Sequence, residues 1–330
     1  MGECTVHVHI DDRIRLLSAV LAATNWPAEE QARKPHGTHA HARGTRKVVA
    51  EYTHHPAVHA MQVLLSKGAP LEAMYTYVMR LSWPDLETDE TPRWVPPRWN
   101  EQLRHFYEVC RLADWWEEEA QHWHEAKTAA ETVLQPLNLH DFLEAFIGPV
   151  AETFVFAPNI SYPTDTEIGL RVGTALYCVA PPRIAWGDNP PWPFDEDPAH
   201  VVRATLTEYG RLLVLAYLRQ HPDVVARVAE QPLPVTAEYT ARYPTFGEQF
   251  AGLFVVGAVG LFLEEAISAQ EAKAYILMQT KAAGLTILPG MVSVLRRYLE
   301  GRAAGRWREL AEYLPHFPKQ LRVAKTITTL

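Results

Sequence analysis

The sequence predicts an α+β protein in which helix dominates. Three observations predict it: helical periodicity over most of residues 10–147, a short β-branched and aromatic stretch at 152–179, and an almost unbroken helical pattern from His200 onward. At 330 residues, 48% hydrophobic and 21% charged, the chain can bury a sizeable core and does not have the composition of a disordered protein.

Taken in order, residues 10–25 place Ile14, Leu16, Leu17, Val20 and Leu21 at helical spacing behind acidic residues, a good helix start. Residues 27–45 are polar and hold Gly, Pro and His, and they read as a loop. Helices are expected over 46–66 and 70–82, with Pro56 and Pro70 near their starts. The four prolines of 83–98 mark an exposed connection. A long helical run over 99–133 and a helix from Leu139 to Ile147, stopped by Gly148, follow. Glu152–Ile160 and Ile168–Val179 read as two or three strands, and the six prolines of 180–198 as a loop. Helices are expected at 200–220, 222–230, 235–242, 245–266, 268–283, 289–302 and 304–313. The expected organisation is an N-terminal helical part, 1–148, and a second part, 149–330, holding the small sheet (152–179), the helix 200–219 and the C-terminal helices.

A net charge of −8 argues against a nucleic-acid or anionic-membrane surface, which needs clustered Lys and Arg. Three scattered cysteines, Cys4, Cys110 and Cys178, make neither a disulfide framework nor a thiolate zinc site. The opening MGECTVHVHIDDRIRLL has no charged start followed by an apolar run and lacks a myristoylation pattern. The most apolar stretch, Phe250 to Leu263, has 14 residues against the roughly 20 a bilayer span needs, so it reads as a buried core helix. The expected location is the cytoplasm.

The chemistry is expected where strands, a proline-rich loop and a long helix follow one another. A zinc peptidase carries His-Glu-x-x-His on such a helix. Two imidazoles one turn apart grip the metal, the intervening Glu is the general base, and a third ligand comes from a later helix. Here the helix reads HVVRATLTEYGRLLVLAYL, with Thr207-Glu208-Tyr209-Gly210-Arg211 at its centre. Thr207 and Arg211 then stand at the two histidine positions and Glu208 at the base position.

With the His-Pro-Ala-Val segment of 52–81, the strand pair and this helix, the chain resembles over roughly 50–320 an uncharacterised bacterial family of zincin-like proteins related to gluzincin-type metallopeptidases. The resemblance implies a zincin-like fold with a small central sheet. Glu248, in Glu248-Gln249-Phe250-Ala251, matches the third ligand of glutamate-ligand zincins, and a different register puts Leu253 there. A weak hydroxyl and a permanent cation cannot replace two imidazoles, so zinc is expected to be lost, with no other cofactor. Arg211 is expected to pair with Glu208, Glu248 or both. The first functional expectation is a catalytically inactive homologue that keeps a cleft for a peptide or protein. The alternatives are a metal-dependent hydrolase with a non-standard site, and a helical interaction module unrelated to zincins. The bland reading of Glu208 and Arg211 is an ordinary i, i+3 surface pair.

Other signals compete. His36, His39, His41, His55 and His59 invite a metal reading, but Pro56 puts His55 at or before a first helical turn, and the cluster reads as solvated histidines. His124-Glu125-Ala126-Lys127-Thr128 is half of a zinc motif and is taken as chance. Trp115, Trp116 and Trp123, with His122 nearby, read as packing rather than a ligand wall. Trp186, Trp192 and Phe194 are expected to fold back over the core.

Overall fold

A computed structural model describes residues 6–33, 40–161, 166–183 and 192–327, with side chains to 322. Cys4, His36, His39 and Trp186 lie outside the described residues. Helix dominates, with a four-stranded mixed sheet, as expected of an α+β chain. The chain packs as two units that interleave along the sequence rather than meeting at a single boundary such as 148/149. One is built from Val6–Gln135 and Thr153–His200, the other from Pro136–Glu152 and Val201–Leu330.

The first unit contains the sheet, with β1 (His7–Val8), β2 (Thr153–Pro158), β3 (Ile168–Val172) and β4 (Ala175–Ala180) in the order β1-β2-β4-β3. β1 and β4 run parallel to β2, and β3 joins β4 as an antiparallel hairpin. Gly173 makes the hairpin turn at φ 59, where a side chain would strain the backbone. β1 was not expected. Two residues are too short to show alternation, and only pairing with Val155 and Phe156 makes them a strand.

The helix Asp12–Ala22 starts where expected, because the Asp11 carboxylate accepts the Arg13 N–H at 2.9 Å. Its Leu16, Leu17, Val20 and Leu21 are fully buried. Ser18 on the same helix joins a buried polar chain. It donates to the Ile14 carbonyl, meets the Tyr75 hydroxyl at 2.8 Å and accepts from Asn159 Nδ2 at 2.8 Å. This chain ties the helix to the end of β2 through buried hydroxyl and amide groups, the Asn159 Oδ1 alone among them making no hydrogen bond among the described residues.

The expected loop over 27–45 is corrected. Trp26–Arg33 and Ala40–Val48 are helices. Both are polar because only a narrow stripe is buried, Ala42 and Thr45 in the second. Gly44 fits that stripe because a Cβ there would lie 3.0 Å from the Trp115 ring. The run 99–133 is three helices, Trp99–Val109, Leu112–Glu118 and Ala120–Leu134, parted around Arg111, with φ 50, and at Glu119.

The tryptophans of this run are packing residues, as expected, and two of them, Trp116 and Trp123, pack on a cation. Arg15 lies 4.3 Å from the Trp116 ring and 4.5 Å from the Trp123 ring, with Asp12 at 3.0 Å. Its Nε and Nη2 make no hydrogen bond among the described residues, so the two indole faces compensate their burial. An ammonium has no flat face to stack. Arg15→Lys is therefore expected to lower stability by about 1–2 kcal/mol in urea denaturation, while Trp115→Phe, outside the sandwich, changes it less.

The second unit is helical. Phe246–Phe262 is apolar on all sides and is buried along most of its length, as expected of a core helix. With its continuation to Ile267 it is also long and apolar enough to cross a membrane, and 72% of that apolar window is buried. Gly257 and Gly260 let Leu288–Ala303 approach it, since added Cβ atoms would lie 2.8 Å from Met291 Cγ and 3.1 Å from Val292 Cγ2. Phe146, Phe254 and Tyr298 pack beside this contact, and the Tyr298 hydroxyl donates to the Phe146 carbonyl at 2.8 Å. Helix is absent over 304–309, contrary to expectation. It resumes at Leu310–Tyr313 and again at Phe317–Ile327, which was not expected.

Candidate functional site

The helix Pro198–Gln220 carries residues 207–211 in its middle. Glu208 is buried at 7% exposure, Tyr209 is fully buried and Thr207 is half-buried. Glu208 Oε2 accepts from Arg211 Nη2 at 2.8 Å. The Arg211 side chain is 31% exposed and that of Glu208 only 9%, so this i, i+3 pair is not a freely solvated one. Gly210 marks a close helix approach, as a Cβ there would lie 3.1 Å from Val255 Cγ1.

Glu248 is half-buried at the start of Phe246–Phe262. Its Oε2 accepts from the Thr245 N–H at 2.9 Å and hydroxyl at 2.7 Å, and its own N–H donates to Thr245 Oγ1 at 3.2 Å. That is a full capping box, which fixes the carboxylate on its own helix end. Leu253, the other register, is buried core. At 207–211 the available groups are a hydroxyl, a carboxylate and a guanidinium bonded to that carboxylate. This donor set does not fit a zinc ion, which needs three good ligands and no fixed cation among them.

Compared with protein-family models, with curated proteins and with solved structures, the chain has no match.

Among the N-terminal histidines, His55 is the N-cap of Pro56–Ser66, its Nδ1 accepting from the Ala57 N–H at 3.2 Å. Its Nε2 meets His105 Nδ1 at 2.8 Å, so its partner is His105, far along the chain. Burial, and then the neighbouring His105, hold the His55 imidazole below its ordinary pKa. His59 is exposed. Cys110 and Cys178 are buried free thiols, and burial pushes Cys110 up to about 12, which removes it as a nucleophile.

His41 behaves differently. It sits in the first turn of Ala40–Val48, and its Nδ1 is hydrogen-bonded to Glu119 Oε2. Its ring centroid is 4.5 Å from that of His122. Glu119 was missed in the sequence. Its signal was the Glu119-x-x-His122 spacing, which sets a carboxylate and an imidazole one helical turn apart.

Among the described residues, cavities open in the sheet-containing unit at two places considered for ligands. One, of about 250 Å³, is lined by His41, His122, Ile160, Trp192 and Phe194 among others. Phe194 is buried against Phe156, while Trp192 is 47% exposed, so of the two aromatics only Phe194 folds over the core. The larger, an open trough of about 1280 Å³, is lined by Tyr77, Arg80, Glu87, Asp89, Glu90 and Asn100 among others.

Proposed function

We propose that the chain is a catalytically inactive, zincin-like homologue of a metallopeptidase that binds a peptide or protein segment without cleaving it. The observation that carries the reading is the 2.8 Å ion pair between buried Glu208 and Arg211. In an active enzyme the carboxylate at this position must be free to take a proton from metal-bound water. Here a permanent cation neutralises it from the position of the second imidazole. The engagement of Glu248 in a capping box supports the same reading, since the third-ligand position is also committed to a structural bond.

The open trough of about 1280 Å³, in the unit that does not hold residues 207–211, supports ligand binding at a place other than the altered motif. Glu87, Asp89 and Glu90 outnumber Arg80 along it, which favours a segment carrying Lys or Arg. The test uses untagged protein and fluorescein-labelled casein peptides, with and without added zinc. The expected result is raised fluorescence anisotropy with no new peptide ends. Hydrolysis that disappears in Glu208→Gln overturns the proposal, as does binding that resists the triple exchange Glu87→Gln, Asp89→Asn, Glu90→Gln.

A further inference from the structure

Glu119 and His122 lie at the start of the helix Ala120–Leu134, and Ala40–Val48 brings His41 to them from 78 positions away. One potential ligand atom from each residue lies within 4.8 Å of the others. The His41 and Glu119 side chains are only 18% and 14% exposed, while His122 is 51% exposed. Glu125 Oε2 stands 3.5 Å from His122 Nδ1. Two imidazoles thus converge between two carboxylates, although the sequence separates them widely.

We propose that His41, Glu119 and His122 bind one divalent transition-metal ion of the zinc type. The donors are two borderline nitrogens and one oxygen, which suit zinc or cobalt(II) better than magnesium or calcium, whose sites are built of oxygen. Glu125 faces Nδ1 of His122, so Nε2 is the ligating atom and Glu125 is the outer partner that orients the ring. His41 Nδ1–H donates to Glu119, and on metal binding the ring takes its Nε2–H tautomer, which frees Nδ1 and the Glu119 carboxylate to ligate the ion.

Three protein ligands leave a coordination position open. His41 and His122 line the 250 Å³ cavity together with Ile160, Trp192 and Phe194, so an ion held there is reached from an apolar pocket. One carboxylate against a dication leaves a net positive centre. The ligand class this favours is a small carboxylate or similar anion with an apolar body.

A second group, His140, Asp141 and Glu144, meets the same distance criterion but has one oxygen of each carboxylate bonded elsewhere. Glu144 Oε1 accepts from the Val150 N–H at 2.8 Å, and Asp141 Oδ2 from Asn138 Nδ2 at 2.5 Å. It serves as the internal control. The proposed site shares no residue with 207–211, so it stands or falls apart from the function proposed above.

The experiment titrates chelator-stripped, untagged protein with CoCl2, followed by visible absorption, and with ZnCl2, followed by calorimetry. One equivalent is expected to bind with Kd of about 1 μM or tighter. His41→Ala, Glu119→Gln and His122→Gln each weaken it at least 100-fold, and Glu125→Gln about 10-fold. His140→Ala leaves it unchanged. His122 is half-exposed, so its exchange does not threaten folding, and circular dichroism checks each variant. Stoichiometric binding that survives His122→Gln overturns the proposal, as does loss only in Thr207→Ala or His140→Ala, or no binding at about 100 μM metal.

Discussion

Trp99→Ala is expected to destabilise the protein by about 3–5 kcal/mol, the range for emptying a large aromatic site in a packed core. Trp99 is fully buried and lies in the first turn of Trp99–Val109. Its ring stacks on Tyr77 with centroids 5.6 Å apart and planes 9° from parallel. Its indole N–H donates to the Ala57 carbonyl at 3.2 Å. One side chain therefore links three helices, Pro56–Ser66, Leu71–Val78 and its own. Truncation removes the stacking, leaves a void and takes the indole donor away from the Ala57 carbonyl. Trp99→Phe keeps most of the apolar contact and loses the donor, so it should cost about 1–3 kcal/mol. Urea midpoints at fixed pH separate the two. A loss under 1 kcal/mol for the alanine variant would show that Trp99 does not anchor this core.

Local chemistry was legible in the sequence wherever a single residue decides it. Asp11 caps its helix, Gly148 stops another at φ 84, and the β-branched stretch at 152–179 forms strands. What was illegible depends on partners far along the chain. The helices Trp26–Arg33 and Ala40–Val48 look like loop because their polarity is that of two exposed faces, and contacts such as Gly44 with Trp115 hold the second. The Thr245-x-x-Glu248 spacing carries a capping-box signature as well as a ligand-like string, and hydrogen bonds define only the first. Glu119 and His122 are readable as a one-turn pair. Nothing local indicates that His41 joins them. For residues 207–211 the i, i+3 spacing of Glu208 and Arg211 was plain, but burial, which separates an incidental surface pair from a consequential one, is a property of the fold.

That burial sets the second large effect. Arg211→Leu is expected to destabilise the protein by about 2–3 kcal/mol, below the 3–5 kcal/mol of a wholly buried pair because Arg211 is 31% exposed and water screens part of the charge. The loss arises from taking a cation 2.8 Å away from a carboxylate at 7% exposure. Glu208→Gln alone removes the charge and leaves Arg211 access to water, so it should cost about 1 kcal/mol or less. The double exchange should then recover most of the Arg211→Leu deficit. A double-mutant cycle that gives a coupling of about 1–2 kcal/mol marks a pair whose geometry the fold enforces, whereas an exposed helix pair gives about 0.2–0.5 kcal/mol. The distinction bears on function. On the reading proposed above, the carboxylate that would draw a proton from water is instead bonded to a fixed cation.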